Sequence, residues 1–355
     1  MATQTAPPPA VTDERVRSVG AVSRLLGRPE LGAVVGLVVV YVFFAIVAFD
    51  NNFVSWPTTA SILNRAAPLG ILAVAVALLM IAGEFDLSIG SLLGFSGMAI
   101  MVLVTDADAG GYGMSLWPAI GIALVLAVAT GLLNGLLVVK TRLPSFIITL
   151  GTLLIFRGLT IAITRALTNR TQLGNLDEVQ GFELAEKIFA QQITLFEANF
   201  NLSIIWWIAL TVIATWVLLR TRSGNWIFGT GGAVDAARNV GVPVNRVKIA
   251  LFVTTALAAF LVAVIQALEF TGADTLRGTG QEFNAIIAAV VGGCLLTGGY
   301  GSAVGATLGA LIFAMVQQGI VITGIDGDWY QVFIGTVLVV AVILNNYVRQ
   351  RAARR

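Results

Sequence analysis

Residues 220–248 read RTRSGNWIFGTGGAVDAARNVGVPVNRVK. The stretch is polar, basic and rich in Gly, and it separates two long apolar regions. Within it, residues 233–240 have the composition of a short helix, closed by Gly241 and stopped by Pro243. Gly just past a helix end and Pro soon after are ordinary stop signals. A helix this short does not hold its shape alone in water. It needs a surface to pack against, and the expected surface is another protein.

The regions on either side set the solvent. The 355 residues are 57% hydrophobic and 11% charged, with a mean hydropathy of +0.89, whereas soluble domains carry roughly 25% charged residues. No folded core hides this much apolar surface from water, so most of the chain faces lipid. Ten apolar runs, at about 31–49, 66–82, 87–104, 116–139, 146–163, 203–219, 249–269, 283–296, 302–322 and 329–346, approach the roughly 20 residues that a span requires. The expected fold is an all-α membrane protein of about ten transmembrane helices. The eighth run is short, as a tilted, broken or re-entrant segment would be. Residues 1–30 form a Pro/Ala-rich tail and 347–355 a basic one, around a transmembrane domain at 31–346. About thirty residues precede the first run, and that run is long enough to span, so no cleaved leader is expected.

Charge tests the count. With the N-terminus inside, the inner segments hold 15 of the 21 Lys and Arg, and the outer loops hold most of the acids, among them Asp177, Glu178, Glu183 and Glu186. A bias of this size supports ten spans with both termini cytoplasmic. The longest outer segment, about 165–202, contains a candidate amphipathic helix at the membrane face. Gly131 and Gly135, and Gly301, Gly305 and Gly309, have the spacing that lets helices approach closely in lipid. The stretch from Gly83 to Gly94 aligns with that from Gly298 to Gly309, three glycines and one aromatic in register. This suggests an internal duplication with parallel halves.

Several residues interrupt the apolar runs. Acidic groups at membrane depth are costly unless paired or wet. Glu84 is therefore expected to face water. Asp86, with Ser88 behind it, suits the N-cap of the span that follows. Arg157 either snorkels to the outer surface, anchors an acid on a neighbouring helix or touches the solute. Asn64, Asn134, Gln266, Asn284, Gln317 and Gln318 are neutral amides able to hydrogen-bond a hydroxylated solute or another helix. The path candidates are Glu84, Asp86, Ser88, Asn134, Arg157, Gln266 and Asn284. Trp206, Trp207, Trp216, Trp226 and Trp329 suit an interfacial aromatic belt.

Absences narrow the class. There is no His and one Cys, Cys294, so Cys/His metal sites, internal disulfides and His-based triads are excluded. No phosphate-binding G-x-x-x-x-G-K-[ST] loop occurs. The spans hold no chain of acids and His for a proton relay and no Arg ladder. A catalytic role is not expected, and nothing points to nucleic acid. The energy source lies outside the chain.

In combination and order, GEFDLSIGS (83–91), KTRLPSFIITLGTLLIFRG (140–158), GGAVDAARNVGVPVNRVKI (231–249) and GTGQEFNAIIAAVVGGCLLTGGYGSAVGATLGA (278–310) resemble the permease subunits of bacterial ABC sugar importers of the ribose/xylose/galactoside family. The resemblance runs from about residue 31 onward. It implies that Ala233, Val234, Asp235, Ala236, Ala237, Arg238, Asn239, Val240 and Gly241 form the cytoplasmic coupling helix, which docks on an ATPase subunit. Ala233 stands where the family often has Asn, and Glu84 stands where it often has a second Gly. The resemblance further implies a multi-pass inner-membrane protein working by alternating access in a homodimer or heterodimer of permeases. A binding protein delivers a monosaccharide or polyol from outside, and ATP and Mg bind the partner subunit, with no cofactor on this chain. The alternative reading is an ion-driven secondary transporter of a small polar solute.

Overall fold

The computed structural model describes residues 30–327, 329–336 and 339; both tails and half of the tenth apolar run lie outside the described residues. The order is α1 (Glu30–Val47), α2 (Trp56–Ile81), α3 (Ile89–Val104), α4 (Leu116–Thr141), α5 (Ser145–Thr168), β1 (Gln172–Leu173), α6 (Phe182–Phe189), β2 (Gln192–Leu195), β3 (Ala198–Asn201), α7 (Ser203–Arg220), α8 (Arg222–Gly232), α9 (Val234–Asn239), α10 (Val244–Glu269), β4 (Ala273–Asp274), α11 (Gln281–Val291) and α12 (Ala303–Ile322). Residues 329–336 are helical. Among the described residues seven helices, α1, α2, α4, α5, α7, α10 and α12, are long and apolar enough to cross a membrane, and α3 and α11 are shorter apolar helices. With the segment from 329 onward, each of the ten apolar runs carries a helix, so the all-α membrane fold holds.

The bundle has two distinct ends. The helices α7 and α10 enclose α8 and α9 at one, the loop end, where Arg220, Arg222, Arg238, Arg246 and Lys248 gather. The opposite, hairpin end carries α6, the antiparallel β2–β3 hairpin and the β1–β4 pair. The expected amphipathic helix is α6, with Phe182 and Ala185 buried.

The helix α2 is the axis of the core. From Ala66 to Ile81 all but Pro68 are buried. It is longer than hydropathy predicts, beginning ten residues earlier, because the polar stretch before Ala66 is held by Ser55, whose hydroxyl accepts from Thr58 N at 3.3 Å. Trp207 is no belt residue. It is 3% exposed and lies over Gly70, where a Cβ would sit 2.0 Å from its Nε1. The small-residue spacings act as close contacts. Gly131 and Gly135 of α4 meet the α10 backbone at Val253 and Ile249, and Gly305 and Gly309 of α12 meet Gly292 and Ala288. Such approach supplies the dispersion contacts that hold helices together where lipid competes for every apolar surface.

The eighth run is a broken span. The helix α11 has 11 residues, about 16 Å at 1.5 Å per residue, roughly half the hydrocarbon thickness. Before it the chain runs non-helically along the glycine face of α3. A Cβ at Gly94 would meet Arg277 O at 2.5 Å, and one at Gly90 would meet Gly278 O at 2.4 Å. Irregular backbone at membrane depth is tolerated where protein buries it. This one is braced from within: Arg277 Nε donates to Asp274 Oδ2 at 3.0 Å, and its guanidinium sits 4.6 Å over the Phe270 ring.

Candidate functional site

A cavity of about 600 Å³ opens toward the hairpin end between α2, α10, α11, α12 and the helix after residue 329. Its polar lining includes amides on four helices: Asn64 on α2, Gln266 on α10, Gln281 and Asn284 on α11, and Gln317 on α12. The charged Arg65 of α2 and Glu269 of α10 join them, with Ser61 and with Gln192 and Asn201 of the hairpin. Leu69, Leu72, Phe313 and Tyr330 form the apolar walls. Asn64 is already engaged. Its Nδ2 donates to Asn199 O at 2.9 Å and its Oδ1 accepts from Asn201 N at 2.8 Å, which ties the β2–β3 hairpin over the cavity. Asn201 Nδ2 in turn donates to Glu269 Oε1 at 2.9 Å. The side chains of Gln266, Asn284 and Gln317 have no hydrogen-bond partner among the described residues. Half-buried amides aimed into a cavity with their donors and acceptors unused suit a hydroxylated solute or water.

A second polar cluster lies in the turn between α2 and α3, toward the loop end. Asp86 is 2% exposed. Its Oδ1 accepts from Ser88 N at 2.9 Å and from Ser88 Oγ at 2.6 Å, and its Oδ2 accepts from Thr255 Oγ1 of α10 at 2.6 Å. Ser88 Oγ accepts from Asn134 Nδ2 of α4 at 2.8 Å. Phe85 N donates to Ser145 Oγ of α5 at 2.9 Å. Glu84 pairs with Lys248 of α10. This turn therefore binds α4, α5 and α10 through side chains that hydropathy marked only as anomalies. The N-cap position of α3 belongs to Ser88, not Asp86. Asp86 sits two residues earlier and closes an Asx-type turn on the Ser88 N–H, because the chain turns once more before the helix starts.

Seven path candidates thus separate into three groups. Gln266 and Asn284 line the cavity. Glu84, Asp86, Ser88 and Asn134 belong to the buried turn; Glu84, expected to meet water, is 8% exposed and meets Lys248 instead. Arg157, midway along α5, donates to Thr279 Oγ1 just ahead of α11. Near it Glu282 lies over Gly90, its Oε1 accepting from Gly280 N at 3.3 Å. Asn64 and Gln317 were singled out as amides, and Gln281 was missed because it falls in a glycine-rich stretch before the apolar run.

The loop end shows how residues 220–248 attach. The short helix is α9, with Gly241 at φ +85° closing it. Sequence reading missed α8, whose Gly-rich stretch is started by Thr221, a hydroxyl accepting from Gly224 N at 3.2 Å. On α9 Asp235 and Arg238 form an exposed i,i+3 pair at 3.7 Å, and Val240 is 80% exposed. Beneath them Gly83, Gly231, Gly232, Gly298 and Gly299 converge. A Cβ at Gly231 would lie 1.8 Å from Ile81 O, and one at Gly298 would lie 2.8 Å from Gly83 Cα. Gly299 N donates to Ile81 O at 2.8 Å. The two aligned stretches therefore each form a turn with a left-handed glycine, Gly83 at φ +83° and Gly298 at φ +78°, opening α3 and α12, and the turns meet under the loop.

The family model for the permease component of branched-chain amino acid transport systems matches residues 58–342. The chain belongs to this permease family. Among similar proteins, the ribose import permease protein RbsC of Escherichia coli strain K12 is 30% identical over 313 residues, 87% of this chain and 92% of that one. The autoinducer 2 import system permease protein LsrC of Enterobacter sp. strain 638 is 29% identical over 330 residues, covering 93% and 90%. A probable ABC transporter permease protein of Sinorhizobium fredii is 30% identical over 324 residues, covering 91% of each. No solved structure matches the permease.

Proposed function

We infer that the chain is the membrane subunit of an ATP-binding-cassette importer that passes a monosaccharide or a related polyol into the cytoplasm by alternating access. The observation that carries this reading is the cavity at the end of the bundle opposite the loop, with the amides of Gln266, Asn284 and Gln317 that have no partner among the described residues. The ribose and autoinducer 2 permeases among its relatives support a small hydroxylated solute. The concentration of basic residues at the loop end supports a cytoplasmic loop and cytoplasmic termini, with the hairpin end facing outward. The short α9 and its exposed Asp235, Arg238 and Val240 suit docking on an ATPase subunit. That subunit supplies the ATP and Mg chemistry, and this chain is non-catalytic. Two permease chains, identical or closely related, frame the path, and a binding protein delivers the solute to the hairpin end.

The test has two steps. Thermal-shift screening of the companion binding protein identifies the solute. Uptake is then measured in vesicles containing the permease, the ATPase subunit and that binding protein. ATP-dependent uptake that falls in Gln266→Leu and Asn284→Leu supports the reading; uptake indifferent to both substitutions contradicts it.

A further inference from the structure

The loop of residues 220–248 touches the turn between α2 and α3 from both of its flanks. On the N-terminal flank, Gly231 packs against Ile81 O and its neighbours. That contact is between backbones, and Thr230 Oγ1 beside it has no partner among the described residues. On the C-terminal flank the contact is an ion pair. Lys248 stands on the second turn of α10, and its ammonium meets Glu84 of the turn. The two side chains are 16% and 10% exposed, so water screens the pair little. Only Pro243 and its neighbours separate α9 from the start of α10, and Val247 N donates to Pro243 O at 3.1 Å, so the helical geometry continues through the joint. Past Glu84 the turn holds α5 through Phe85 and holds α10 and α4 through Asp86 and Ser88.

We propose that the Glu84–Lys248 pair is the strut that carries displacement of the α9 loop into the α2–α3 turn and through it to the cavity, making both residues positioning residues for transport. The proposal rests on the importer reading above. A displacement of α9 reaches the α2–α3 turn either by sliding at the glycine contact or by pulling at the pair, while buried Ile227 of α8 and Val247 of α10 pack into the bundle core. The glycine contact has no side-chain bond to resist sliding, and the pair has a charge-assisted bond that resists separation. The α3 backbone then moves as a unit with the turn, and α3 contributes Leu93 to the cavity wall. Lys248 is the complement that Glu84 requires at this largely buried site.

The experiment uses the permease assembled with its ATPase subunit in lipid nanodiscs, on a Ser61→Cys background. Ser61 lines the cavity, and the natural Cys294 is buried. The rate of Ser61→Cys alkylation by a charged maleimide is measured without nucleotide and after trapping with ATP and vanadate. The parent is expected to show a several-fold ratio between the two states. Glu84→Lys and Lys248→Glu are each expected to reduce that ratio to near one while still co-purifying with the ATPase subunit, and the double swap is expected to restore it to within twofold of the parent. A single variant that keeps the parent ratio overturns the strut, as does a swap that stays near one. Loss of co-purification in the single variants that the swap does not mend also overturns it, because that is a general folding fault. A parent with no nucleotide-dependent ratio fails the importer reading itself, and the strut falls with it.

Discussion

Two of the polar islands in this apolar bundle differ in how their bonds are used. In the α2–α3 turn, Asp86 accepts three hydrogen bonds, Glu84 meets Lys248 and Ser88 meets Asn134, whose Oδ1 is left without a partner among the described residues. In the cavity, Gln266, Asn284 and Gln317 hold out amides with no partner among the described residues. A buried polar group that is satisfied fixes the packing around it, and one left open costs free energy unless something fills it. The turn thus reads as structure under load, and the cavity as space kept for a guest.

The comparison breaks most completely if the loop is disconnected. Asp235→Ala with Arg238→Ala is expected to abolish ATP-dependent uptake and co-purification with the ATPase subunit. Stability should stay within about 1 kcal/mol, since an exposed i,i+3 pair contributes no more than that. A thermal melt in detergent checks the second half. Next comes the turn. Asp86→Ala strips the acceptor from the buried Ser88 N–H and Ser88 hydroxyl, each costing about 1–3 kcal/mol when left unmade, while the Thr255 hydroxyl can turn to Phe252 O, so it should lower the melting temperature sharply or prevent assembly. Asp86→Asn keeps an acceptor for Ser88 N and should cost much less.

Between these lies Glu84→Gln. It keeps a hydrogen bond to Lys248 but leaves that charge uncompensated at a largely buried site, so uptake should fall more than in Asp86→Asn. The reverse order in uptake assays would show that the turn is held by the Asp86 hydrogen bonds and not by the ion pair. The smallest effect belongs to the cavity. Gln266→Leu and Asn284→Leu remove open amides, so stability should hold or rise. Uptake should fall about fivefold for each, the equivalent of roughly 1 kcal/mol per hydrogen bond lost to the solute. If either variant instead unfolds the protein, the cavity amides are structural and the two islands are alike.

How far the sequence discloses this follows from what each feature depends on. Hydropathy locates all ten apolar runs because lipid imposes one demand on every span. It misses the first ten residues of α2, since WPTTASILNR is polar and is held by the Ser55 cap and the contacts of Asn64. The β2–β3 hairpin escapes notice because its turn uses Phe196 and Glu197 at φ +51° and +59°, where Gly or Asn is the usual signal. The amides were visible as a class. Asn134 and Gln266 look alike in sequence, and only the neighbours of α4 and α10 send one into the turn and the other into the cavity. The Glu84 partner, 164 residues away, has no local trace at all. The family motifs mark the turn as special, but the charge that complements it is read only from the fold.

The central claim is that motion enters at the loop and is expressed at the cavity, with ATP hydrolysed elsewhere. The direct measurement is accumulation, in sealed vesicles, of the solute that most stabilises the companion binding protein. Accumulation above the outside concentration is predicted only when the permease, the ATPase subunit, the binding protein and ATP are all present. Uphill accumulation by the permease alone, or driven by an ion gradient without ATP, would contradict the account.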